Sequence, residues 1–315
     1  MSNEVLVYSR FPKKLLERIG ECFALLNTQG KPPGETFPAE VLGEVRALLT
    51  AGGQPLDGAV MDLMPRLETI VCYGTGYDGI DLAAARARGI TLGNSPAANA
   101  AAVADLAMTL LLAAVRRMLP ADQYVRSGGW EAGAPAPMLG APHGLTGARL
   151  GVYGMGEIGR KIALRASAFE AEVAYHSRSR HDVPFAYHAD LGSLVDWCDL
   201  LVIAVRAGAE TRHAIDAALL RRLGPRGILV NIARGSVVDE VALAAALKDG
   251  TIAAAGLDVY ETEPCRPDQL DLPNVVLTPH IGGHTLDAHQ AMQDCVIANL
   301  SAFFADRPLA YPVAL

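Results

Sequence analysis

The stretch Leu150-Gly-Val-Tyr-Gly-Met-Gly-Glu-Ile-Gly159 decides how this chain is read. A short β-prone run ends at Tyr153, three glycines follow in the spacing GxGxxG, and a helix-forming segment begins at Glu157. Each glycine has a separate task. Gly154 permits a tight turn, Gly156 lets a pyrophosphate come close to the backbone, and Gly159 lets helix and strand pack closely, while the helix N-terminus turns its unpaired N–H groups to the phosphates. Gly154, Met155, Gly156, Glu157, Ile158 and Gly159 are therefore the expected phosphate-binding segment of a dinucleotide site. Glycine turns between strand and helix are common, so it is the placement that carries the inference.

About 20 residues further on, at the end of the next strand, an NAD site would place an Asp or Glu for the adenosine ribose. Here the stretch reads Ala174-Tyr-His-Ser-Arg-Ser-Arg180, with no acid. Ser177, Arg178, Ser179 and Arg180 offer hydroxyl and guanidinium donors suited to a 2′-phosphate. NADP(H) is the expected cofactor, with NAD(H) possible; the alternative is a solvated basic loop.

Outward from this turn, β-rich runs alternate with Ala/Leu-rich segments, the rhythm of βα units around a parallel sheet. Strands are expected at 149–154, 172–176, 200–205, 227–232, 252–258 and 275–278, with a helix over 157–169, and together they describe a Rossmann-type doubly wound sheet. Before it, strands at 5–9, 46–50, 68–73 and 90–93 form a smaller, flavodoxin-like α/β domain, with a loop at 31–38. The segment 100–118 is apolar nearly all round, so this helix should be covered on more than one face, by a domain junction or a second subunit. Residues 128–147, rich in Gly, Ala and Pro, read as an arm or linker. The last helix, about 285–306, should pack back on the first domain. The expected domains are thus 1–98 with 285–315 (substrate domain) and 99–284 (dinucleotide-binding domain).

A length of 315 residues favours two domains of about 100–200 residues each. With 51% apolar and 19% charged residues the composition is that of a folded globular protein, and a net charge of −7 without charge runs makes nucleic acid and anionic membrane poor partners. Cys22, Cys72, Cys198, Cys265 and Cys295 are scattered without CxxC spacing, and no secretory signal opens the chain, so reduced thiols in the cytoplasm are expected. The longest apolar stretch, 101–115, contains Asp105 and is short of the about 20 residues a bilayer needs.

Three groups stand at expected strand ends, where ligands of parallel sheets bind: Arg234, Glu263 and His280. Arg234 can hold a substrate carboxylate bidentately, His280 can give a proton to a carbonyl oxygen as hydride reaches carbon, and Glu263 can orient the imidazole and raise its pKa. Taken singly, each also has an ordinary loop role. His280 and His284 are four apart, but Gly282 and Gly283 argue against one helical face, so no metal is expected.

With these residues in place, the chain resembles the D-isomer-specific 2-hydroxyacid dehydrogenases, and within them the glyoxylate and hydroxypyruvate reductases. The matching stretches are Tyr73-Gly-Thr-Gly-Tyr-Asp-Gly-Ile-Asp81, Asn94-Ser-Pro-Ala-Ala-Asn-Ala-Ala-Ala-Val-Ala-Asp-Leu-Ala107, the GMGEIG turn, Asn231-Ile-Ala-Arg-Gly-Ser-Val-Val-Asp239, Gly256-Leu-Asp-Val-Tyr-Glu-Thr-Glu-Pro264 and Thr278-Pro-His-Ile-Gly-Gly283. The resemblance implies catalytic roles for Arg234, Glu263 and His280 and nicotinamide contacts at Ile232, Ala233, Asp258 and Gly282. It also implies a cofactor loop at Val205 and Arg206, and a substrate loop at Gly74, Thr75 and Gly76, with Gly52 nearby and with Arg234 and His280. The chain departs from the family pattern at Arg206-Ala-Gly-Ala209, where many members have a small residue and Pro, and at His284. In relatives the arm can send a side chain into the partner's active site, a role that would fall on Met138 or Leu139; simple packing is the alternative.

The expectation is therefore an NADPH-dependent reductase, a homodimer, that converts a small 2-oxo acid (glyoxylate or hydroxypyruvate) into the D-2-hydroxy acid. Two alternatives stay open. One is a related dehydrogenase for another small anion, such as 2-ketogluconate, hydroxyphenylpyruvate or phosphite. The other is a non-catalytic NADP(H)-sensing corepressor or scaffold.

Overall fold

The computed structural model describes residues 3–134, 144–265 and 270–315. Met138 and Leu139 lie outside the described residues. The chain divides into two compact units, Met1–Asn99 with His284–Leu315, and Ala100–Gly283. These boundaries fall one residue from the 98/99 and 284/285 junctions drawn from sequence.

The first unit is built on five parallel strands, β1 (Glu4–Val7), β2 (Ala24–Asn27), β3 (Ala47–Thr50), β4 (Thr69–Cys72) and β5 (Thr91–Gly93), in the order β2-β1-β3-β4-β5. This is the flavodoxin order. β3 and β4 are buried along their whole length, as strands covered on both faces must be. β2 is an additional strand beyond those read from sequence: four residues at the sheet edge, partly exposed. The region 31–38, expected as a loop, carries a single helical turn at Pro33–Thr36.

The second unit holds seven parallel strands: β6 (Arg149–Tyr153), β7 (Glu172–His176), β8 (Ala186–His188), β9 (Leu200–Ile203), β10 (Ile228–Asn231), β11 (Ala254–Leu257) and β12 (Val275–Leu277). Their order, β12-β11-β10-β9-β6-β7-β8, reverses between β6 and β9, which is the switch point of a doubly wound sheet and the place where its ligands bind. One face is covered by the helix Ala100–Val115 and the helix Glu157–Ala168, whose Leu110, Leu111, Ile162 and Ala163 pack with Leu150, Val152, Val202 and Val230. The helix at 100–115 is thus buried largely by its own unit, so its all-round apolar pattern does not require a domain junction. It is also shorter than expected. Arg117 sits in the left-handed region (φ 46) and starts a separate helix, Met118–Arg126. The final helix, Leu286–Phe304, is capped by the Thr285 hydroxyl and belongs to the first unit. Among the described residues no helix is long and apolar enough to cross a membrane.

Candidate active site

The glycine turn follows β6. Gly154 lies at φ 105, and a Cβ there would stand 2.6 Å from the Val205 backbone nitrogen, because the loops after β6 and β9 run side by side at the switch point. At Gly159 a Cβ would stand 1.9 Å from the Gly154 carbonyl oxygen, so helix and strand could not approach. Gly156 is different: nothing lies within 4 Å of the position its Cβ would take. Neighbouring helices are capped by Asp190, Asp216 and Asp239 side chains, whereas Glu157–Ala168 starts at Gly156 with no side-chain cap. Uncapped N–H groups beside open space fit the pyrophosphate of a dinucleotide. Met155 is buried, Glu157 and Ile158 open the helix, and Arg206, exposed beyond Val205, accepts a hydrogen bond on its carbonyl from the Thr211 hydroxyl at 3.2 Å.

At the end of β7 the Ser177 hydroxyl donates to the Ser179 carbonyl at 2.6 Å, so it shapes the turn rather than standing open as the sequence suggested. Arg178, Ser179 and Arg180 are exposed. Among the described residues no hydrogen bond or ion pair engages the two guanidinium groups. With no carboxylate in the turn, the donor set fits a 2′-phosphate better than a ribose diol.

Arg234, Glu263 and His280 follow β10, β11 and β12. His280 Nδ1 is 2.7 Å from Glu263 Oε2, and Glu263 Oε1 accepts the Tyr260 N–H at 3.1 Å. Burial alone would push the Glu263 carboxyl up; the His280 hydrogen bond and charge, the Tyr260 N–H and the Arg234 charge outweigh it and hold the group below its ordinary value. With Nδ1 committed to the carboxylate, His280 keeps Nε2 as the ring nitrogen for proton exchange. His280 itself adopts φ 53, unusual for a residue with a Cβ, and its loop is pinned from below. Asp258, 2% exposed, accepts from the Thr278 hydroxyl (2.7 Å), the Ile281 N–H (2.8 Å) and the Gly282 N–H (2.8 Å). A Cβ on Gly282 would stand 3.0 Å from that carboxylate.

The Arg234 loop is fixed by Asn231, whose side chain accepts the Ala233 N–H (3.1 Å) and donates to the Arg234 carbonyl (3.0 Å). Ile232 and Ala233 are buried beside it. Gly235 is forced: a Cβ there would lie 1.8 Å from the Tyr260 carbonyl carbon, so the loops after β10 and β11 touch backbone to backbone. Tyr260 was not singled out from sequence. Its hydroxyl donates to the Thr278 carbonyl at 2.9 Å, which ties the Glu263 loop to the His280 loop. A second pair, His213 Nε2 with Glu261 Oε1, lies alongside; Glu261 N–H donates to Glu240 Oε1 at 2.5 Å, and His213 N–H donates to the Ser236 carbonyl at 2.8 Å.

In the first unit the loop Gly74–Gly76 leaves β4. The Thr75 hydroxyl bridges the Ser95 carbonyl and Asn99 Oδ1, each at 3.0 Å, and Asn94 donates to the Thr75 carbonyl at 2.8 Å. The N–H groups of Gly74, Thr75 and Gly76 find no acceptor among the described residues. Gly52 (φ 86) passes so close that a Cβ would stand 2.0 Å from the Gly76 carbonyl oxygen. His284 packs edge-on against His289, ring centroids 5.2 Å apart. Among the described residues no group of three or more His, Cys, Asp or Glu is placed to hold a metal ion.

Residues 108–282 match the model of the D-isomer specific 2-hydroxyacid dehydrogenase, NAD binding domain. An NADPH-dependent glyoxylate/hydroxypyruvate reductase from Sinorhizobium meliloti, solved with NADP and malonate, superposes with a TM-score of 0.91 at 38% identity, over 99% of this chain and 96% of that one. A glyoxylate reductase of Thermococcus gammatolerans is 40% identical over 96% of this chain and 93% of its own length. A hydroxyphenylpyruvate reductase of Plectranthus scutellarioides is 36% identical over 98% of both chains. With residues 108–282 matching the family model and relatives of 36–40% identity aligned over nearly the whole chain, this chain belongs to the D-isomer-specific 2-hydroxyacid dehydrogenase family of oxidoreductases.

Proposed function

We propose that this enzyme uses NADPH to reduce a small 2-oxo acid of the glyoxylate or hydroxypyruvate type to the D-2-hydroxy acid. The observation that carries the proposal is the 2.7 Å pair of His280 Nδ1 and Glu263 Oε2 beside Arg234, at strand ends of the dinucleotide-binding unit. NADPH, when bound, supplies the hydride. Arg234 is assigned to the substrate carboxylate and carbonyl; in the first unit, the backbone N–H groups of Gly74, Thr75 and Gly76, with Gly52 close by, are assigned to substrate binding. His280 delivers a proton from Nε2 to the carbonyl oxygen. Glu263 orients the ring through the 2.7 Å hydrogen bond, and Tyr260 and Asp258 hold both loops in place.

Gly154–Gly159 are assigned to the pyrophosphate, Ser179 with Arg178 and Arg180 to the 2′-phosphate, and Ile232, Ala233, Asp258 and Gly282 to the nicotinamide side, with Val205 and Arg206 bordering the cofactor. NADH, which lacks the 2′-phosphate and so the contacts to this turn, remains a possible but less tightly bound cofactor. Residues 1–98 with 285–315 would be the substrate domain. Met118, Leu119, Val125 and Trp130 expose more than half of their surface near one another in sequence, which supports a homodimer. Cys22, Cys72, Cys198 and Cys295 are free thiols, in keeping with a reducing cytoplasm.

The test is a substrate panel with NADPH: glyoxylate, hydroxypyruvate, pyruvate, hydroxyphenylpyruvate and 2-ketogluconate, followed by chiral analysis of the products. Highest kcat/KM for glyoxylate and hydroxypyruvate, with D-glycerate formed from hydroxypyruvate, is the expected result. Preference for the aromatic or sugar acid would reassign the substrate, and L-product would overturn the proposed geometry.

A further inference from the structure

The turn Ser177–Arg180 is held at its near end by the Tyr187 hydroxyl, which donates to the Ser177 carbonyl at 3.3 Å, and at its far end by a buried hydroxyl. Tyr175 is fully buried, and its Oη accepts the His181 N–H at 2.7 Å while donating to the His181 carbonyl at 3.1 Å. One side chain thus closes both main-chain groups at the far end of the turn. A second link runs from the glycine turn. Arg160, on the helix Glu157–Ala168, donates through Nε to the Met155 carbonyl at 3.4 Å and brings Nη2 to 3.3 Å from His181 Nδ1. A guanidinium group has donors only, so Nδ1 accepts there and the ring proton sits on Nε2.

We propose that Tyr175, Arg160 and His181 are positioning residues that determine the preference for NADP(H) over NAD(H). They hold the guanidinium-bearing turn at a fixed offset from the glycine turn, so that a cofactor seated on Gly154–Gly159 meets Arg178 and Arg180 already in place. The inference rests on the NADP(H) assignment made above. Exposed arginine side chains lose rotamer freedom when they bind a phosphate, and a backbone fixed beforehand limits the further cost of ordering the turn. NADH has no 2′-phosphate, so the benefit of that order is restricted to NADPH.

The experiment compares kcat/KM for NADPH and for NADH, at saturating oxo acid, in the wild type and in Tyr175→Phe, Arg160→Gln, His181→Ala and Arg178→Ala, with melting temperatures alongside. Tyr175→Phe and Arg160→Gln should lower the NADPH/NADH ratio about tenfold, equal to about 1.4 kcal/mol, mainly through KM for NADPH, with His181→Ala shifted in the same direction. A ratio unchanged in Tyr175→Phe and Arg160→Gln while Arg178→Ala lowers it would overturn the positioning role and leave the 2′-phosphate assignment standing. Equal losses with both cofactors would show a merely structural role and overturn it too. A wild type without preference, unaffected by Arg178→Ala, would remove the NADP(H) assignment itself.

Discussion

Two regions at the carboxyl edge of one sheet are built on opposite principles. The glycine turn after β6 is shaped by side chains that are missing: at Gly154 and Gly159 a single carbon would strike backbone, and at Gly156 the missing carbon leaves room. The corner after β10, β11 and β12 is shaped by side chains that are present, with Asp258, Tyr260 and Asn231 each holding main-chain groups so that Arg234, Glu263 and His280 converge. Substitutions at Gly154 and Gly159 should therefore be felt first as packing, one at Gly156 first in cofactor binding, and substitutions in the corner first as chemistry.

The contrast breaks if His280→Ala unfolds the protein or leaves it active. It should instead lower kcat by roughly 10²–10⁴, the usual share of a general acid, with the melting temperature nearly unchanged. Arg234→Gln should cost on the order of 10²–10³ in kcat/KM, divided between a raised KM and a lowered kcat, because its charge-assisted contact acts in binding and in turnover. Steady-state kinetics reads both.

Gly159→Ala and Gly156→Ala sharpen the steric side. The first places a carbon against the Gly154 carbonyl and should cost about 1–3 kcal/mol or more of stability in thermal or urea unfolding. The second meets no neighbour, so its melting temperature should stay near wild type while KM for NADPH rises about tenfold, as expected of a position reserved for the pyrophosphate.

The smallest effect concerns acid stability. The carboxyl of Glu263 is held below its ordinary value in the folded state, so it contributes stability above that value and loses it as pH falls through the lowered one. The group is 36% exposed, so solvent screening keeps the contribution small. Unfolding curves of wild type and Glu263→Gln should differ at neutral pH and converge as pH falls from about 5 to about 3. A difference that widens in acid would contradict the sign.

What was legible in the sequence follows the same division. The glycine turn, the acid-free end of β7 and the order Arg234, Glu263, His280 could be read because there the residue type itself carries the geometry or the chemistry. β2 and β8 were missed: each is a short, partly exposed edge strand with little periodicity to detect. The break at Arg117 was missed because no glycine marks its left-handed backbone. The hydroxyl clamps of Tyr175 and Tyr260 could not be read, since each depends on main-chain groups that only the folded sheet brings near. The acceptor of the Ser177 hydroxyl was not read for a different reason: it is a carbonyl two residues on, brought near only by the local shape of the turn.

The most direct measurement is the initial rate of nicotinamide oxidation by the purified wild-type protein with glyoxylate, NADPH and NADH being compared side by side. Rapid turnover with NADPH, and kcat/KM at least about tenfold above that with NADH, is the expected result. Turnover that favours NADH, or NADPH binding with no turnover of glyoxylate or hydroxypyruvate, would contradict it.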